Sequence, residues 1–391
     1  MSSVSLSPGD RVLLRRDCTW QGPLRLPFHG NADWPIVISS YGEGALPIIR
    51  DSSSNHIDIS GSYMVVEQLA ATTTPGSVWR DPNCRDQPVA WRTGFTLQGS
   101  AHHVTIRDSL AYGNTAGVHI TRDSRHNKIL RNELRDNVIM SVNSNNGGWD
   151  DSGAWGIVLN GSDNEIAYNT FSGNNAWCSY DFGQEGASIE VYEAQRNFIH
   201  HNVSINDSTF TELGSSGSRR AENNTYAYNT YISTLPVSEF LVVRGGGDHF
   251  GPTPGTRAFN NTVYLSNSDR SQGVVCHAGC SNSVLELRNN IIWAEWKALY
   301  ADGPFLESNN IYWNSRGQPL TQFFGGSRMS STSMYANPRF TDAGGRDLRL
   351  RSDSPAIDAG TDTGLSLDRD ALGVPLPQGA RVDIGAYEFR R

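Results

Sequence analysis

The stretch Gly186-Ala-Ser-Ile-Glu190-Val-Tyr-Glu-Ala-Gln-Arg-Asn197-Phe-Ile-His-His-Asn202-Val-Ser-Ile-Asn-Asp-Ser-Thr-Phe-Thr-Glu212-Leu213 decides the fold. It reads as a short strand, a polar turn, a second strand closed by Asn, and then the first strand again. Glu190 and Glu212 take equivalent places in successive copies, 22 residues apart, each between apolar or small inward-facing neighbours (Ile189 and Val191; Thr211 and Leu213). Self-similarity at this period marks one supersecondary unit stacked on itself.

The copies extend both ways along the chain. One strand set aligns as Phe95-Thr-Leu, Val118-His-Ile, Gly156-Ile-Val-Leu, Ile189-Glu-Val, Thr211-Glu-Leu, Phe240-Leu-Val-Val, Val274-Val-Cys and Leu299-Tyr. A second aligns as Val104-Thr-Ile, Asn127-Lys-Ile-Leu, Asn164-Glu-Ile-Ala, Asn197-Phe-Ile-His, Thr225-Tyr-Ala-Tyr, Thr262-Val-Tyr-Leu and Asn290-Ile-Ile-Trp. Short alternating strands without helical periodicity or return hairpins favour a parallel solenoid over a sandwich. The recurrent Asn132, Asn169, Asn202 and Asn229 read as a structural ladder, because Asn tolerates left-handed corners and its amide bonds the corners above and below. The expectation is an all-β, right-handed parallel β-helix over 1–340, with inserted loops at 72–93, 143–154, 172–187 and 245–257. A C-terminal coil and cap over 341–391 belongs to the same domain.

Composition narrows the partners. A net charge of −8 argues against nucleic acid and against an anionic membrane surface. No run approaches the ~18–20 apolar residues of a membrane span. No signal peptide is visible in Met1-Ser-Ser-Val-Ser-Leu, so a secreted, extracellular location implies that a leader has been trimmed. A monomer is expected. The five cysteines form no metal pattern, and Cys276-His-Ala-Gly-Cys280 suggests a disulfide across one turn. Lys128 and Lys297 are the only lysines, which disfavours a lysine base.

The closing segments Ser354-Pro-Ala-Ile-Asp-Ala-Gly-Thr-Asp and Val382-Asp-Ile-Gly-Ala-Tyr-Glu-Phe389 resemble the terminal coil of right-handed parallel β-helix proteins of the pectin-lyase-like superfamily. Pro8-Gly-Asp-Arg-Val-Leu-Leu-Arg-Arg and Trp34-Pro-Ile-Val-Ile-Ser-Ser-Tyr-Gly-Glu-Gly are similar to its first coils. The resemblance implies a carbohydrate-active protein, since that group holds polysaccharide lyases, glycoside hydrolases, epimerases and phage tailspikes. Fold alone does not choose among them.

Residues in register one coil apart stand ~4.8 Å apart, so Glu190 and Glu212 are expected as a stacked carboxylate pair. Retaining glycosidases need two carboxyl groups ~5–5.5 Å apart, and like charges that close push one pKa up. The bland alternative has both side chains in solvent, where screening makes their repulsion cheap. Asp181 completes the catalytic candidates. Asp150, Asp151, Trp155, Trp177, Arg244, Asp248, His249 and His119 lie on adjoining coils or inserts, and are expected to bind a polysaccharide or oligosaccharide. Aromatic faces beside carboxylates suit the CH face and the hydroxyls of a sugar. His200-His201 falls on the other strand set and reads as packing. The insert Thr72–Thr93 has the length of a functional loop.

Glycoside hydrolysis is the preferred chemistry, without a required cofactor or metal. The first alternative is β-elimination on a uronic-acid polymer, with Ca2+ on Glu190, Glu212 and Asp181 and with Arg244 or His249 as base. The second is a non-catalytic carbohydrate-binding solenoid, which would string aromatics along many coils rather than crowd them around two or three.

Overall fold

The computed structural model describes residues 4–51, 54–73, 91–317 and 319–390, which form two compact units, Met1–Ala194 and Gln195–Arg391. Each unit is a parallel β-helix built from three sheets. In the first, one sheet runs from Arg11–Arg15 to Glu165–Ala167, a second from Thr19–Gln21 to Thr170–Ser172, and a third from Leu24–Leu26 to Ala187–Tyr192. In the second unit the corresponding sheets start at Phe198–His200, Val203–Ile205 and Thr209–Gly214. The sequence predicts two strand sets. The second predicted set merges two sheets: its members as far as Thr225 lie on the first sheet, whereas Thr262–Leu265 and Ile291–Ala294 lie on the second, joined to the first through corners of two residues. Among the described residues there is no helix, and hence none long and apolar enough to cross a membrane.

The inward positions of each coil are aliphatic or aromatic and fully buried, as with Ile106, Ile129 and Ile166 in the first unit and Leu241, Val274 and Leu299 in the second. Each such side chain contributes ~1.5–3 kcal/mol. The turn into the third sheet of the first unit is tight. A Cβ on Gly94 would lie 2.6 Å from the Gly117 carbonyl oxygen, and one on Gly117 would lie 2.7 Å from that of Gly156. Only glycine lets these coils stack.

The asparagine ladder is present, with a correction to its geometry. The Asn132 N–H donates to Asn169 Oδ1 at 2.9 Å in the first unit, and in the second Asn202, Asn229, Asn261 and Asn290 each donate to the next asparagine at 2.8–3.0 Å. All are buried. The left-handed residue, however, is the one before each asparagine: Arg131 (φ 53°), Tyr168 (59°), His201 (55°) and Tyr228 (53°). The ladder asparagines therefore serve through their amides, not through backbone tolerance.

His201 is packed, as expected of the His200-His201 pair. It stacks on Tyr228 with centroids 5.4 Å apart and bonds the Arg369 carbonyl at 3.0 Å. The residues from Phe340 onward pack within the second unit, where Phe340, Leu348, Leu350 and Ile384 join Ile232, Ile291 and Ile311 of its second sheet. The Cys276–Cys280 disulfide is formed, with Cα atoms 5.3 Å apart.

His56 in the first unit yields a pH test. Its Nδ1 accepts from the Asp51 N–H at 3.0 Å and its Nε2 faces Asn114 Oδ1 at 2.9 Å, which fixes a neutral tautomer. Burial lowers its pKa from 6.5 to about 4. A depressed histidine contributes stability that is complete above pH 6.5 and lost as pH falls through 4. His201, also lowered to about 4 by burial, adds the same sign in the second unit, whereas Glu388, raised by burial to about 7, opposes it. His56→Gln keeps one acceptor and one donor but cannot titrate. The fall in Tm between pH 6.5 and 4 is expected to be smaller in that variant than in the wild type, by the equivalent of a few kcal/mol. Equal slopes would refute the assignment.

Candidate functional site

The third sheet carries a row of outward-facing polar residues in both units. In the first unit one row reads Asp58, Thr96, His119, Val158 and Glu190, each opposite the next. His119 is half-buried, its Nε2 lies 2.9 Å from Asn160 Oδ1, and burial lowers its pKa. Trp91 stands over it edge-on, 5.1 Å between ring centroids, and 6.0 Å from the Trp155 ring. Trp155 itself is only 7% exposed, packed with Ala116, Val158 and Ala187, so its face is turned to protein. Glu190 is half-buried on the strand Ala187–Tyr192.

The acidic insert of this unit is internally bonded. Asp151 accepts from the Ser144 N–H at 2.6 Å, the Ser179 hydroxyl at 2.8 Å and the Asp181 N–H at 2.9 Å. Asp181 accepts from the Asp150 N–H at 2.9 Å. One carboxylate oxygen from each of Asp150, Asp151 and Asp181 lies within 4.8 Å of the others. The exposed rings beside them are Trp149, whose centroid is 5.6 Å from that of Phe182, and Tyr180. Trp177 is half-buried. Most of the insert 72–93 lies outside the described residues.

In the second unit the row opposite Glu212 continues through Val242, Val275 and Tyr300. Arg244, with 12% of its side chain exposed, clamps the far end of this row. Its guanidinium forms an ion pair with Glu212, donates to the Leu213 carbonyl at 2.6 Å, and approaches Asp248 at 3.5 Å. His277 lies 3.9 Å from Asp248, and burial followed by Arg244 lowers its pKa. His249 is exposed and packs edge-on against Phe250 at 4.8 Å. Glu212, Arg244 and Asp248, expected as site residues, thus form one network.

A second outward row was not foreseen. Thr209, Glu239, Gln272 and Lys297 stand in register on the same sheet face, three residues along the strands from Glu212. Glu239 accepts from Gln272 Nε2 at 2.5 Å, and burial raises its pKa. Lys297 lies over the Trp296 ring at 4.3 Å, with burial lowering its pKa and Glu239 raising it. One of the two lysines therefore stands on these strands. Leu299-Tyr300 aligns with the repeat, and Lys297 lies two residues before it on the same strand. Alternation counted from Val242 would bury Glu239, but Phe240 and Leu241 both point inward and shift the phase by one. The outward aim of Glu239 follows from that irregularity.

No protein-family model and no curated protein sequence matches this chain. Its coordinates are similar to those of a GH136 lacto-N-biosidase from Eubacterium ramulus, with a TM-score of 0.57 and 15% identity, covering 84% of this chain and 62% of that one. They are also similar to an alginate lyase from Paenibacillus sp. str. FPU-7, with a TM-score of 0.52 and 14% identity, covering 83% of this chain and 92% of that one. The chain shares a parallel β-helix fold with them. The matched length amounts to 62% of the lacto-N-biosidase. The third-sheet face of the second unit gathers Glu212, Arg244, Asp248 and His277 with Glu239, Gln272, Lys297 and Tyr300. That face combines a paired carboxylate, a carboxyl kept toward its neutral form, and a lysine displaced toward its neutral form.

Proposed function

We propose that the protein is a secreted glycoside hydrolase acting on a polysaccharide or oligosaccharide at the third-sheet face of the second unit. One observation carries the reading: two carboxyl groups on neighbouring strands sit in opposed environments. Glu212 is ion-paired with Arg244, while the pKa of Glu239 is raised by burial. Carboxyls whose surroundings drive them apart divide into a base and an acid. Glu212 is the ionised member and Glu239 the proton donor to the leaving oxygen. Two proteins of this fold carry names of glycan-cleaving enzymes, a lacto-N-biosidase and an alginate lyase, which supports a carbohydrate substrate.

One strand across and three residues along separates the two backbones by roughly 11 Å. That is nearer the ~6.5–9.5 Å carboxyl spacing of inverting enzymes than the ~5–5.5 Å of retaining ones. Proton NMR of the first-formed product is expected to report the inverted anomer. Retention would remove Glu239 as the partner of Glu212. Arg244 is already committed to Glu212 and Asp248 rather than to a substrate carboxylate. A neutral sugar fits better.

The lowered pKa of Lys297 favours one second reading, β-elimination with Lys297 as base. A panel of neutral and uronic polysaccharides separates the two. New reducing ends without ultraviolet absorbance at the edge of the spectrum, unaffected by chelator, are the expected result. An unsaturated product lost in Lys297→Met would replace hydrolysis by elimination, and saturable binding without product would replace both.

A further inference from the structure

A groove of about 580 Å³ lies in the second unit away from the third sheet, on the outer face of the first sheet and walled by Leu365 of the C-terminal segment. Its floor is one register row: Phe198, Thr225, Arg257, Glu286 and Leu306 lie opposite one another on successive strands. At one strand spacing per step the row is roughly 19 Å long.

We infer that this groove binds an acidic sugar residue, a uronate, at a site separate from the catalytic face. Two guanidiniums, Arg196 and Arg257, line it against a single carboxylate, Glu286, which is already paired with Arg288. Among the described residues no hydrogen bond or ion pair engages the exposed Arg257 guanidinium. An anion is therefore the complementary charge, and the planar fork of arginine suits a carboxylate. Phe198 is half-exposed and Leu306 is 41% exposed, giving an apolar floor for the CH face of a pyranose ring. The exposed amides of Asn223 and Asn282 at the rim supply donors and acceptors for its hydroxyls. The volume lies within the range of small-ligand sites. A bare phosphate would use the arginines and leave the apolar floor idle. A neutral sugar would use the floor and leave Arg257 idle.

The test uses monosaccharides, which no glycosidase can cleave, titrated into the intact chain and followed by saturation-transfer NMR. Galacturonate or glucuronate is expected to bind, and glucose more weakly by about tenfold, the worth of one charge-assisted hydrogen bond. Arg257→Gln, a surface change that leaves the coil intact, is expected to weaken uronate binding by the same factor. Phe198→Ala should weaken it too, and Glu212→Gln should leave it unchanged. Equal affinity for glucose, tighter binding of inorganic phosphate, no uronate binding, or binding indifferent to Arg257→Gln would each overturn the assignment. Loss in Glu212→Gln would do the same by moving the site to the third sheet.

Discussion

Glu212→Gln is expected to lower kcat by about 10²–10⁴-fold on whichever glycan the wild type cleaves, the usual worth of a positioned acid or base. The amide keeps the shape of the side chain and an oxygen for Arg244, so the coil should fold normally. What it loses is the charge that abstracts a proton from water. The side chain is 32% exposed, which keeps the stability cost of a neutral replacement small. Measurement of kcat, KM and Tm on the same preparation separates the cases. A loss confined to kcat, with Tm within a degree or two, is the expected pattern. Full turnover in a folded Glu212→Gln protein would end the proposal. Glu239→Gln should behave differently, because an acid matters in proportion to how badly the leaving group needs a proton. Its deficit is expected to be large on natural glycans and small on aryl glycosides with acidic phenols, a dependence that structural damage would not produce.

The repeat made the register legible because inward aliphatic pairs and outward polar residues alternate cleanly around His119, Glu190 and Glu212. Arg244 was legible for the same reason, being two residues beyond the Glu212 row on the next strand, and Asp248 follows it in the adjoining insert. The second sheet was not told apart from the first, since a corner of only two residues joins their short strands, as between Phe198–His200 and Val203–Ile205. Glu239 and Lys297 were hidden by a phase shift: two successive buried residues, Phe240 and Leu241, invert the parity that a count from Val242 would assign. Trp155 was misjudged by residue type. An aromatic beside a candidate site suggests a sugar platform, but its register partners Ala116 and Ala187 are small, and the ring fills the space they leave. The asparagines were rightly assigned to structure, although the strained backbone belongs to the residue before each of them.

Arg244→Met tests whether Glu212 is tuned as well as present. Methionine replaces much of the buried stem but removes the guanidinium, which leaves Glu212 and Asp248 without their counter-ion and the Leu213 carbonyl without its donor. An opposite charge within about 4–6 Å favours the ionised form of a carboxyl, so its removal should make Glu212 harder to ionise. The acid limb of the kcat/KM profile is then expected to move to higher pH, with activity recovering part of its loss as pH is raised. His277 should shift in the same direction. Arg244 contributes to lowering its pKa, and without that cation the imidazole holds its proton to higher pH. Stability should fall by about 1–3 kcal/mol, the cost of a buried acceptor losing its partner, discounted because Glu212 keeps contact with water. Arg244→Lys restores one charge but not the fork that spans Glu212 and Leu213, so it should recover the pH profile more fully than the Tm. A uniform drop in kcat at every pH, with the acid limb unmoved, would reduce Arg244 to a packing residue and remove the reason for making Glu212 the base.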